Sequence, residues 1–151
     1  MVLSRSRFLV SSALAALAAI IPVNAASSLA ARGYSVIPEP RTVALGSRDV
    51  RISNSWKLEF AGIDNRDPAV ETLRESLGTG SEQGGSTQGS IRLVIKPGSV
   101  QIGEALDKDK AELEKQAYSL TIAPTLITIS ANASPGLFYG TQTLAQLLKE
   151  Q

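Results

Sequence analysis

Residues 117–148 read AYSLTIAPTLITISANASPGLFYGTQTLAQLL, and the pattern inside this stretch sets the architecture. Ala117–Ile122 and Leu126–Ala131 each alternate apolar with polar residues, and their Thr, Ile and Tyr suit a pleated surface. Ala123-Pro124-Thr125 between them predicts a hairpin. The period then changes. Ser134 is a candidate helix cap and Pro135 a candidate first helical residue. Leu137, Leu144, Leu147 and Leu148 fall on one side of the helix that follows, and Gly136 and Gly140 allow close backbone approach.

Upstream the same alternation recurs. DVRIS (49–53) and WKLEF (56–60) read as strands, and Ser53-Asn54-Ser55 suits a hairpin turn between them. Trp56, Leu58 and Phe60 share one face, with Lys57 and Glu59 on the other. Asp67 and Pro68 open a helix whose buried stripe is Val70, Leu73 and Leu77, and Gly78 or Gly80 ends it. A Gly/Ser-rich loop leads to a strand at IRLVI (91–95), stopped by Pro97-Gly98. LDKDKAELEKQ (106–116) fits a short exposed helix or a solvated loop. In YSVIPEPRTVAL (34–45), Pro38 and Pro40 cannot donate to a sheet ladder, so this is an extended edge or opening segment. Strands, helix, strands, helix, joined by hairpins, predict an α+β fold: an antiparallel or mixed sheet with two helices packed on one face.

The first 25 residues stand apart. Arg5 and Arg7 precede an apolar run from Phe8 to Ile21, and Val23-Asn24-Ala25 follows as a small-residue cleavage site. This reads as a bacterial-type signal peptide, with a flexible leader over residues 26–33 and a domain over 34–151. The run is shorter than the ~20 residues of a membrane span, which disfavours an N-terminal anchor. The expected location is secreted or periplasmic, with no membrane contact after cleavage. Without residues 1–25 the chain carries 13 basic and 14 acidic residues, which gives no electrostatic footprint for nucleic acid or an anionic membrane. There is no Cys and no His. Disulfides, Ser-His-Asp and Cys-His sites and the usual zinc sites are therefore excluded. The core of roughly 125 residues must hold itself together by ordinary packing.

The candidate ligand sites are weak. The loop from Gly78 to Gly89 lacks the spacing of a phosphate cradle. Asp107, Asp109, Glu112 and Glu114 lack the spacing and the glycine of a calcium loop, so a solvated face is expected. Trp56 and the Phe138-Tyr139 pair could stack on sugar rings, against the simpler reading of core burial. Asn132-Ala133-Ser134 matches a glycosylation sequon but is followed by Pro135. No catalytic residue, cofactor site or metal site emerges.

The closing stretch resembles the end of the N-terminal domain of family 20 glycoside hydrolases, the β-N-acetylhexosaminidases. The similarity rests on Tyr118 and Leu120, on Ile127 and Ile129, on Gly136-Leu137-Phe138-Tyr139-Gly140, and on Gln142-Thr143-Leu144 with Gln146-Leu147-Leu148. VIPEPRTVAL (36–45) is similar to that domain's Ile-Pro-x-Pro opening. The resemblance implies an antiparallel sheet shielding two helices, those at Pro68 and Pro135, which pack on a catalytic (β/α)8 barrel supplied in cis or in trans. It also implies substrate-assisted cleavage by an Asp-Glu pair within the barrel. This sequence contains no Asp-Glu dipeptide, so no catalytic residue carries over.

The resulting expectation is a non-catalytic accessory domain, truncated or separately encoded, since the chain stops where the family's barrel begins. Leu137, Phe138, Tyr139, Leu144, Leu147 and Leu148 are the expected barrel-packing interface. The same helix is expected to leave one apolar side bare and to support self-association. The alternatives are a freestanding glycan-binding or protein-interaction module, or the equivalent domain of another glycosidase such as an α-glucuronidase.

Overall fold

A computed structural model describes residues 29–47, 49–52, 55–78, 89–103 and 109–149. The expected signal peptide, most of the glycine loop and the first part of the charged segment lie outside the described residues.

Among the described residues four strands form one open sheet. In chain order they are β1 (Lys57–Phe60), β2 (Ser90–Ile95), β3 (Tyr118–Ile122) and β4 (Leu126–Ala131), and across the sheet they run β1-β2-β4-β3. β1 and β2 pair in parallel, as do β2 and β4, while β3 and β4 are antiparallel. Among the described residues three full helices accompany the sheet: α1 (Pro68–Leu77), α2 (Lys110–Gln116) and α3 (Ser134–Lys149). The architecture is α+β with a mixed sheet, as the sequence pattern predicts.

Register explains which face is buried. Leu58, Ile91, Ile127 and Ile122 lie in one row across the sheet, and Phe60, Leu93, Ile129 and Leu120 in another. Side chains alternate between faces, so both rows point toward α1 and α3. There all but Ile122, which is exposed on the edge strand, join or pack against Val70, Leu73, Leu77, Leu137 and Leu144 in the hydrophobic core. Burying each such side chain is worth about 1.5–3 kcal/mol. The intervening row is Glu59, Arg92, Thr128 and Thr121, which faces solvent and carries an Arg92–Glu59 ion pair at 3.1 Å. One face is dry and the other wet.

The β3–β4 hairpin forms as expected. Its two-residue connection, Pro124-Thr125, is closed by Ala123 and Leu126, which exchange both backbone bonds. Helix α1 also follows its punctuation: Asp67 accepts from the Ala69 amide, Pro68 sits in the first turn, and Gly78 at φ 65° ends it. Of the two readings of the charged segment, the helix is realised over Lys110–Gln116, with no buried residue.

The expected DVRIS/WKLEF hairpin is not present. β1 pairs with β2 instead, and residues 49–52 carry no strand assignment, the proposed turn at Ser53-Asn54 lying outside the described residues. The physical reason is the apolar register. Leu58 and Phe60 extend the rows of Ile91 and Leu93 beneath α1, making β1–α1–β2 a parallel crossover. Val50 and Ile52 pack directly against the core without a ladder. The segment from Tyr34 to Gly46 likewise carries no strand, and it bends at Ile37, Pro38 and Arg41. α3 begins one residue earlier than predicted, at Ser134, whose hydroxyl donates to Asp67 Oδ2 at 3.0 Å.

Candidate functional site

Helix α3 is the element on which the fold converges, since it touches α1, α2 and three of the four strands. Two glycines bring it that close. A Cβ on Gly140 would lie 2.5 Å from Ile129 Cγ2 and 3.1 Å from Tyr118 Cδ2. A Cβ on Gly136 would lie 2.5 Å from the carbonyl oxygen of Ala117, just past the end of α2. The glycines therefore seat one face of α3 directly on the hairpin and on α2. The Tyr118 ring crosses the helix at Gly140, and its hydroxyl meets Thr143 Oγ1 at 2.7 Å. A Tyr on the strand, a Gly on the helix and a Thr one turn later form one packing unit.

The outer side of α3 is held by polar clamps. Gln142 Nε2 donates to Thr72 Oγ1 of α1 at 3.3 Å. The Gln146 side chain binds both main-chain groups of Ile37, which draws the opening segment onto the helix. Asp67 bridges the starts of the two long helices, capping α1 through Oδ1 and accepting from Ser134 through Oδ2.

The predicted interface residues divide between core and surface. Leu137 and Leu144 are 0 % exposed and belong to the core. Leu148 packs against that core and is half-buried, and Leu147 is half-buried beside the opening segment. Phe138 is half-buried and Tyr139 is 39 % exposed, with ring centroids 6.0 Å apart at 59°. The outward-facing part of the predicted set is thus Phe138 and Tyr139 at the start of α3. Among the described residues, the large apolar side chain that α3 exposes is Tyr139, while Leu147 and Leu148 are half-buried.

The other candidates also find their places. Trp56 is 3 % exposed and lies against Gly89, so it has no free ring face for a sugar. Lys115 pairs with Glu112 at 2.6 Å and Lys110 with Glu114 at 4.0 Å along α2. Among the described residues no cluster of three or more His, Cys, Asp or Glu is arranged to hold a metal, and no helix is long and apolar enough to cross a membrane.

Sequence reading missed the role of Asn132. It is 8 % exposed; its Nδ2 donates to the carbonyls of Val100 (2.8 Å) and Glu114 (2.9 Å), and its Oδ1 accepts from Val100 N at 2.9 Å. One amide thereby ties the chain beyond β2 and the end of α2 to the exit of β4. Gln146 was legible only as part of a Gln-Leu-Leu motif. Nothing local links it to Ile37, 109 residues away.

These features describe a surface for packing. The family model for glycosyl hydrolase family 20, domain 2, matches residues 33–151. A comparison with curated proteins returned no match. That match spans the strands, the helices and the glycine-anchored α3 just described, and by it the chain belongs to glycosyl hydrolase family 20, domain 2, the family's non-catalytic N-terminal domain.

Proposed function

We propose that this chain is the accessory domain of an exported β-N-acetylhexosaminidase and that its helix layer packs on a catalytic (β/α)8 barrel, in cis or in trans. The observation that carries the reading is the family match across residues 33–151. The structure supports the choice of face. The solvent side of the sheet is a polar row of Glu59, Arg92, Thr128 and Thr121, whereas the helix side presents Phe138 and Tyr139. Aromatic side chains at a surface supply large contact area at small entropic cost, which suits a domain interface. The contribution of this domain is to cover and stabilise the barrel, and the hydrolytic chemistry belongs to the barrel.

Arg5, Arg7 and the apolar run Phe8–Ile21 support export, with a mature chain starting at Ala26 or Ser27. A freestanding glycan-binding module loses support because Trp56 is buried.

The test is to mix the purified chain with a family 20 barrel expressed without its own accessory domain, and to follow complex formation by sedimentation. A complex that Tyr139→Lys weakens is expected. Absence of a complex with the barrel encoded by the same organism would sink the reading. Intact mass of exported protein checks the processing site.

A further inference from the structure

The free edge of β3 has a definite chemistry. Ala123 and Leu126 exchange both of their backbone bonds. Bonded pairs alternate along an antiparallel ladder, so Thr121 and Ser119 direct their main-chain groups at β4. Leu120 and Ile122 therefore direct theirs away from β4, and among the described residues these groups have no backbone partner. An unpaired edge of this kind is a template for another strand.

Beside that edge lies an open groove of about 930 Å3 whose lining includes Leu120 and Ile122 of β3, Val43 and Leu45 of the opening segment, and Leu147 of α3. Leu45 and Ile122 are both exposed, at 39 % and 40 %. Thr42-Val43-Ala44-Leu45 alternates in the manner of a strand, yet carries no strand pairing. The segment is anchored around the groove: Gln146 holds Ile37, Arg41 Nη1 donates to the Ile102 carbonyl at 2.9 Å, and Arg32 Nη2 donates to the Gly46 carbonyl at 2.6 Å. A segment already tethered near the edge pays little further loop-closure entropy to reach it.

We propose that residues 42–45 close onto β3 as a fifth strand, pairing with the outward main-chain groups of Leu120 and Ile122 and covering Leu45 and Ile122. The strap then serves as an edge guard, keeping β3 from pairing with a second copy of the chain. This inference is independent of the barrel-packing proposal, because the strap and edge belong to this chain alone.

Residue-resolved amide exchange on the full chain tests it, with Ser119 and Thr121 as internal controls for the β4 ladder. Closure predicts that the amides of Leu120 and Ile122 exchange at least about tenfold more slowly than an unprotected amide. Proline removes a ladder donor, and Val43 and Ala44 point their amides to opposite sides, so one of Val43→Pro and Ala44→Pro should restore fast exchange at Leu120 and Ile122. Ser119 and Thr121 should stay protected in both variants. Fast exchange at Leu120 and Ile122 in the unmodified monomer overturns the proposal. So does protection that rises with protein concentration and ignores both prolines, which would assign the edge to a second copy.

Discussion

Gln146 holds Ile37 by both of its main-chain polar groups: the Ile37 amide donates to Oε1 at 2.8 Å, and Nε2 donates to the Ile37 carbonyl at 2.9 Å. A side-chain amide here does the work of a neighbouring strand, offering one acceptor and one donor. The Ile37 side chain meanwhile stays 77 % exposed, so the attachment is polar rather than hydrophobic. Because these bonds compete with water, Gln146→Ala should cost no more than about 1 kcal/mol in urea unfolding. Amide exchange at Ile37 should accelerate far more than the global stability falls. An equal loss at both would mean that the opening segment unfolds only with the whole domain.

The α3 glycines give a sharper outcome. Alanine normally favours a helix over glycine by about 1 kcal/mol. At Gly136 the new methyl would meet the Ala117 carbonyl at 2.5 Å, a main-chain atom that cannot rotate away. Gly136→Ala should therefore destabilise by roughly 1–3 kcal/mol, as overpacking does. Gly140→Ala meets Ile129 Cγ2, carried on the Cβ of a fully buried β-branched residue, and the Tyr118 ring, and should cost a similar amount. Thermal unfolding of both variants measures the two costs. A stabilised Gly136→Ala would refute the close-approach account.

Asn132 should tolerate no replacement. Asn132→Ala leaves Val100 N, Val100 O and Glu114 O without their partner, at a cost of roughly 2–3 kcal/mol. The same geometry bars a glycan from Nδ2, since both amide protons are in use. Folded protein from a glycosylating host should show an unmodified Asn132 by peptide mass. A glycan on natively folded material would contradict the three-way clamp.

Leu144 and Tyr139 should separate core from interface. Leu144→Ala opens a cavity in a fully buried site and should cost about 2–5 kcal/mol. Tyr139→Ala removes an exposed ring and should change the isolated chain's stability by about 0.5 kcal/mol or less. Its effect should appear on binding to a barrel. Loss of folding in both variants would place Tyr139 in the core and remove the outward face proposed for docking.

Tyr118→Phe isolates one hydrogen bond. The ring still lies across Gly140, while the 2.7 Å contact to Thr143 is lost. A cost of about 1 kcal/mol in denaturant unfolding is expected, and a similar cost for Thr143→Val without additivity in the double variant. Fully additive costs would show that the two hydroxyls act separately.

The local chemistry of the sequence settled a good deal. Asp67, Pro68 and Gly78 bounded a helix because caps, proline and left-handed glycine act within a few residues. The Pro124-Thr125 hairpin followed from two alternating runs with a short turn, again a near-neighbour matter. The glycine-leucine-phenylalanine-tyrosine-glycine run and its Gln-Thr-Leu continuation carried the family, and the match over 33–151 agrees. Long-range pairing was out of reach. WKLEF was legible as a strand, yet only the row formed by Phe60, Leu93 and Ile129 decided that its neighbour is β2, because apolar faces of strands far apart in sequence must share one core. The Leu stripe of α3 looked like a single face, but packing put Leu137 and Leu144 fully inside and left Tyr139 outside, since α3 meets partners on more than one side. Asn132 and Gln146 read as a sequon and a motif letter. Their function as clamps exists only where folding brings Val100, Glu114 and Ile37 within hydrogen-bond range, and burial makes the unmade bonds costly at Asn132, while those of Gln146 stay open to water.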